Sequence, residues 1–133
     1  PNTPGICGLQ AGMQWVMAHG VEAICRQETI HMARMHDLLS GMPGIRLYTA
    51  RPVLGKCAPV LSINVEGRSS EEASELNRYG VAVRAGLHCA PTAHRVYGTL
   101  PKGTVRLAPS LFTTRQEIEQ TCRILRKIAS GKA

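Results

Sequence analysis

Apolar residues recur at three- and four-residue intervals through Ile6, Leu9, Met13 and Val16, which predicts an amphipathic helix behind an opening Pro/Gly turn and ending near Gly20. A longer helix is expected over residues 21–40, with Ile24, Met32, Met35 and Leu39 on or near one face. Gly41 and the Pro43-Gly44 turn stop it. A short strand at 45–48 and a loop at 51–57, holding Pro52 and Gly55, follow. Residues 58–65 give the clearest strand: Leu61, Ile63 and Val65 alternate with Ser62 and Asn64, so one face is buried and the other polar.

Ser69-Ser70-Glu71-Glu72 reads as a capping box that opens a helix through Ala73, Leu76 and Tyr79, closed by Gly80. Strands are expected at 81–85 and 104–108. Thr114-Arg115-Gln116-Glu117 reads as a second capping box, ahead of a last helix that turns Ile118, Cys122, Leu125 and Ile128 inward. Between the late strands, residues 86–103 are punctuated by Gly and Pro and read as one long loop. Loops of that length in a compact domain are often functional or disordered. The order of elements, without repeat or linker, predicts an α+β fold: a two-layer small domain with a small, mostly antiparallel sheet packed on helices.

Composition narrows the reading. A chain of 133 residues, 44% hydrophobic and 19% charged, has the length of one domain and too much apolar content for disorder. Aromatic residues are only 4%, so the core must be aliphatic, with the five Met as fillers. No apolar run approaches the ~20 residues of a membrane helix, and no integral membrane protein is expected. Sixteen Lys and Arg against nine Asp and Glu leave a net charge of +7, which suits nucleic acid or an acidic partner. The positive charges are dispersed, however, and no RNA-binding motif with interleaved aromatics accompanies them, so a scattered Arg surface is expected. Cys7, Cys25, Cys57, Cys89 and Cys122 stand singly, an odd count that fits a reducing cytoplasm better than a disulfide scaffold. The start has no signal peptide and no initiator Met. A piece of something longer is expected.

Candidate chemistry concentrates between Arg84 and Arg95. One Cys stands there among His88, His94, Arg84 and Arg95, and nearby positive charge favours the thiolate, the reactive form. Cys89 therefore has the surroundings of a nucleophile, although free Cys more often just packs in a core. A metal site from His88, Cys89 and His94 lacks a second ligand pair and is not expected. His19, His31 and His36 fall at the polar edges of helices and read as solvated. Arg106 alternates away from Val105 and Leu107. It reads either as a solvated strand residue, which the alternation alone slightly favours, or as a guanidinium placed to fork a carboxylate.

The run Arg84-Ala85-Gly86-Leu87-His88-Cys89-Ala90-Pro91, with Ala93-His94 behind it, resembles the catalytic-cysteine loop of the cysteine desulfurases within the class V aminotransferases, pyridoxal-phosphate enzymes of fold type I. The likeness covers nearly the whole chain in family order: Pro1-Asn2-Thr3-Pro4-Gly5-Ile6, Pro43-Gly44-Ile45, the strand at 58–65, Gly103-Thr104-Val105-Arg106, and the start of the last helix at 112–117. The resemblance implies that Cys89 is the nucleophile, taking sulfur from cofactor-bound L-cysteine as a persulfide and releasing alanine. It implies that Arg106 holds the substrate carboxylate, with Arg84 and His88 flanking the site. Residues 1–20 would be the helix and turn leading from a large upstream domain, and residues 21–133 the C-terminal small domain of a fold-type I enzyme. A cytoplasmic homodimer with a sulfur-acceptor protein is implied, with no nucleic-acid or membrane partner.

Two departures stand out. Ser110-Leu111-Phe112-Thr113 replaces the family's Gly-Tyr-Phe-Asn, leaving Thr113 to cap the last helix. None of Lys56, Lys102, Lys127 and Lys132 matches the family's Schiff-base motif, so pyridoxal phosphate would be bound mainly by the large domain and by no residue of this chain. Within the family, a selenocysteine lyase or another class V enzyme is the alternative. Outside it stand a basic module binding nucleic acid or protein, and an inert piece serving dimer contact.

Overall fold

In the computed structural model, which describes residues 1–68 and 72–131, the opening Pro/Gly sequence starts a helix instead of forming a turn. Asn2 Oδ1 accepts the Gly5 amide at 3.1 Å and Pro4 occupies the first turn, where a missing N–H costs nothing, so α1 runs over Thr3–His19. None of its residues is buried. Gly20, at φ +81, breaks the chain into α2 (Val21–Leu39), which turns Met32, Met35 and Leu39 into the core.

Four strands form one antiparallel sheet, β1 (Ile45–Leu47), β2 (Leu61–Val65), β3 (Arg84–Gly86) and β4 (Thr104–Leu107), in the order β1-β2-β4-β3. The register sets Ile63 and Ala85 opposite Val105, and Leu61 opposite Leu107, so the apolar positions share one face. α2 and α4 (Arg115–Ala129) cover that face. Leu61, Ile63, Val105, Leu125 and Ile128 are fully buried there, each worth roughly 1.5–3 kcal/mol, so this layer and not α1 holds the domain together. Arg34 and Arg115 both reach Glu119, at 3.1 and 2.9 Å, clasping the two helices on their outer side.

The start of α4 is as the sequence indicates, with one change. Thr114, not Thr113, is the N-cap: its Oγ1 accepts the Glu117 amide at 3.2 Å, and Glu117 Oε2 accepts the Thr114 amide at 2.7 Å. The Thr114 amide and its hydroxyl, 2.8 Å from Oε2, both donate to the Glu117 carboxylate and hold it below the ordinary range. Cys122 packs in the core, and burial pushes its thiol up to about 11, the behaviour of a filler and not a nucleophile.

Other expectations are corrected. The strand expected from residue 58 begins only at Leu61, and the one expected at 81–85 is displaced to Arg84–Gly86. The amides of Val81 and Val83 are taken by Leu76 O (3.0 Å) and Asn77 Oδ1 (3.2 Å), so they cannot join a ladder. Glu72–Tyr79 is a 3₁₀ helix, and Ser69-Ser70-Glu71 of the proposed capping box lie outside the described residues. The segment 86–103 is not one long loop but contains α3 (Pro91–Val96), begun by Pro91 in its first turn. His31, expected in solvent, is buried, with its Nε2 2.9 Å from Gln27 Nε2; His36 is half-buried. Among the described residues no helix is long and apolar enough to cross a membrane.

Candidate active site

With Ile63, Val105 and Ala85 turned to the core, their neighbours Ser62, Arg106 and Arg84 look out from the opposite face of the sheet. The register lines these three up in one row across β2, β4 and β3. α3 crosses the same side. A cavity of about 370 Å³ lies between them, its wall including Tyr48, Ser62, His88, His94, Thr104 and Arg106. Asn64 Nδ2 donates to Gly103 O at 3.1 Å and fixes the end of β4 to β2 beneath it.

Two glycines explain how the Cys89 loop leaves the sheet. Gly103 has φ +80, and any Cβ there would fall inside the van der Waals shell of the Gly86 carbonyl. Glycine is required at 103 because backbone packs directly on backbone. Beyond Gly86, both His88 (φ 49) and Cys89 (φ 59) adopt left-handed backbone, a costly conformation for residues with a Cβ. Consecutive strained residues of this kind cluster at functional loops. Cys89 is exposed, between His88 and Ala90, both of which line the cavity.

His88 donates from Nε2 to the Thr104 carbonyl at 2.9 Å, and its buried Nδ1 has no partner. Burial lowers its pKa from the ordinary value, and the charges of Arg106, His94 and Arg84 push the same way against the Thr104 carbonyl. The ring is therefore held neutral, with Nδ1 as an acceptor. His94 is buried against Thr99, Nδ1 to Oγ1 at 2.7 Å, and its ring centroid lies 6.1 Å from that of His88.

Arg84 and Arg106 sit directly opposite each other on β3 and β4, both exposed and neither in an ion pair with a described residue. Like charges facing across strands repel. An anion between or beside them relieves that repulsion, and a planar guanidinium fork suits a carboxylate.

Of the residues singled out in the sequence, His88 and Arg106 thus meet at the cavity, Cys89 stands at its edge, and Arg84 flanks Arg106 without lining the wall. Tyr48, Ser62, Thr99 and Thr104 were not singled out; the polar alternation of β2 was the available signal for Ser62. Cys57 is engaged with the backbone of Val53, its Sγ accepting the amide at 3.1 Å. Among the described residues no three His, Cys, Asp or Glu side chains gather as a metal site would need. Lys56, Lys102 and Lys127 are exposed and none lines the cavity. The cavity wall among the described residues thus offers a guanidinium, two imidazoles and hydroxyls, and no primary amine.

The sequence model of the family described as aminotransferase class-V matches residues 1–121. A cysteine desulfurase of Synechococcus elongatus is 37% identical over 131 residues, covering 98% of this chain and 20% of that protein. A probable cysteine desulfurase of Xylella fastidiosa is 33% identical, covering 96% and 30%. Among solved structures, a cysteine desulfurase from Thermococcus onnurineus aligns with a TM-score of 0.88 at 30% identity, covering 98% of this chain and 32% of its own. One from Escherichia coli aligns at 0.82 and 22% identity, covering 98% and 31%, a likeness of fold. The chain spans between a fifth and a third of the length of these proteins.

Proposed function

The chain belongs to the class V aminotransferase family, and from that premise we propose that it is the C-terminal part of a pyridoxal-phosphate-dependent cysteine desulfurase. Residues 1–20 lead in from the large domain, and residues 21–133 form the small domain. The observation that carries the reading is the meeting of Arg106, His88 and the strained Cys89 loop at one cavity. The names of the relatives point the same way.

In this reading Arg106 forks the carboxylate of L-cysteine, with Arg84 adding positive potential from the adjacent strand. The cavity wall fixes the amino acid so that its sulfur faces the loop after β3. Pyridoxal phosphate, held by the rest of the enzyme, supplies the electron sink that weakens the carbon–sulfur bond. Cys89, exposed at the cavity edge, takes the sulfur as a persulfide, and the carbon skeleton leaves as alanine. An exposed tip is also where a persulfide can be handed to an acceptor protein. A cytoplasmic homodimer completes the proposal.

The test is Cys89→Ser in the full-length enzyme. Sulfur release from cysteine is expected to vanish while the cofactor's absorbance stays. Undiminished release would overturn the assignment.

A further inference from the structure

The backbone fixes which side chain stands nearest to Arg106 across the sheet. The Tyr48 amide donates to the Ser62 carbonyl at 2.9 Å, and the Ser62 amide donates to Thr49 Oγ1 at 2.9 Å. Both backbone groups of Ser62 thus face β1, and neither is left for β4. Ser62 and Arg106 are direct partners across β2 and β4, so theirs is a non-hydrogen-bonded pair, the closer of the two kinds in an antiparallel ladder. Arg106 then turns its own backbone groups to β3, which makes its pair with Arg84 the wider kind. The Cα separations of the two kinds are about 4.5 and about 5.5 Å. Ser62 is therefore the nearer neighbour, and it lines the cavity where Arg84 does not.

Neither group is spent on the other. The Ser62 hydroxyl and the Arg106 guanidinium make no hydrogen bond with any described residue, although they are adjacent. The other hydroxyls of the wall stand elsewhere. Thr104, the next residue on that face of β4, is roughly 7 Å along the strand. Tyr48 Oη lies 3.4 Å from Asn64 Nδ2, and Tyr97 and Thr99 come from the end of α3 and the turn after it.

We infer that Ser62 is a substrate-binding residue whose hydroxyl donates to the same carboxylate that Arg106 forks, and that Thr49 is the positioning residue that holds the Ser62 backbone at the wall. The inference rests on the desulfurase reading and deepens it. An ionised carboxylate only accepts, at about four lone-pair sites, and a guanidinium fork fills two of them. A free hydroxyl beside the fork, on its cavity side, supplies a third donor.

The readout is the carboxylate itself. Titration calorimetry on the full-length enzyme compares 3-mercaptopropionate, which keeps the carboxylate and thiol of cysteine, with cysteamine, which keeps the amine and thiol. Ser62→Ala is expected to weaken 3-mercaptopropionate about tenfold, the low end for a hydrogen bond to a charged group, and to leave cysteamine within about twofold. KM for L-cysteine rises in step. Ser62→Thr, which keeps the hydroxyl, restores binding. Equal losses on both probes, or no loss on 3-mercaptopropionate, would overturn the role of Ser62 and leave the desulfurase reading intact. A wild-type enzyme that releases no sulfur from cysteine would overturn that reading, while the two titrations still decide whether Ser62 and Arg106 share a carboxylate.

Discussion

Arg106 is the residue for which sequence and structure weigh differently. On alternation alone it is a solvated strand position, and it is indeed exposed. Its setting supports the proposed role: it lines a cavity, faces Arg84 across the ladder, and has no counter-ion among the described residues. Two cations side by side on adjacent strands favour an anion between them. A bidentate charge-assisted contact contributes roughly 1.5–3 kcal/mol, so Arg106→Ala in the full-length enzyme is expected to weaken cysteine binding about ten- to a hundredfold. Substrate titration measures this directly, and an unchanged apparent affinity would return Arg106 to the solvated surface.

At the scale of elements, the sheet end and the α4 cap each carry a prediction. Gly103 needs both positive φ and the absence of a Cβ against Gly86. Gly103→Ala is therefore expected to cost about 2–4 kcal/mol, combining left-handed strain with overpacking. Gly98 has φ +66 but open space around it, so Gly98→Ala should cost only about 1–2 kcal/mol. Urea midpoints of the two variants compare them; equal losses would show that the Gly86 contact is not what fixes Gly103. The cap responds to acid. Glu117 has a folded pKa below its ordinary 4.5, so the unfolded chain binds its proton more readily. Its stabilisation is present above that value and lost as pH falls through the depressed one. Glu117→Gln keeps an acceptor but no titration, and should flatten part of the acid limb of a melting-temperature profile. Glu119, depressed by Arg115 and Arg34, and Asp37, depressed by Arg51, keep contributing to that limb.

For the molecule as a whole, α1 is the element without a core. Leu9 is 66% and Met17 78% exposed, with Ile6 and Met13 beside them, while α2 and α4 are held by the buried layer. An apolar stripe of this kind promotes association. The 133-residue chain is expected to self-associate in sedimentation experiments, and Leu9→Glu with Met13→Glu to shift it toward monomer. A wild-type chain that stays monomeric at high concentration would contradict this. Pyridoxal phosphate added to the same chain is expected to give no stoichiometric covalent adduct, because no described lysine reaches the cavity.

What the sequence determined by itself is local. Three- and four-residue spacing marked α1, α2 and α4, alternation marked β2, and Thr114 with Glu117 marked the start of α4, since each depends on neighbours within a turn or two. The Cys89 loop and Arg106 were legible through a family's motif, although spacing alone left both undecided. The tertiary structure decided what depends on residues far apart in the chain. Val81 and Val83 were withheld from the sheet by hydrogen bonds to the preceding 3₁₀ helix. His31 was buried and α3 found inside an expected loop. The row from Ser62 through Arg106 to Arg84 exists only once three strands separated in sequence are in register, and the buried contact between His94 and Thr99 forms only when Thr99 folds back on α3. Local patterns encode which backbone an amino acid prefers; a site is a set of side chains brought together by packing, which no local pattern contains.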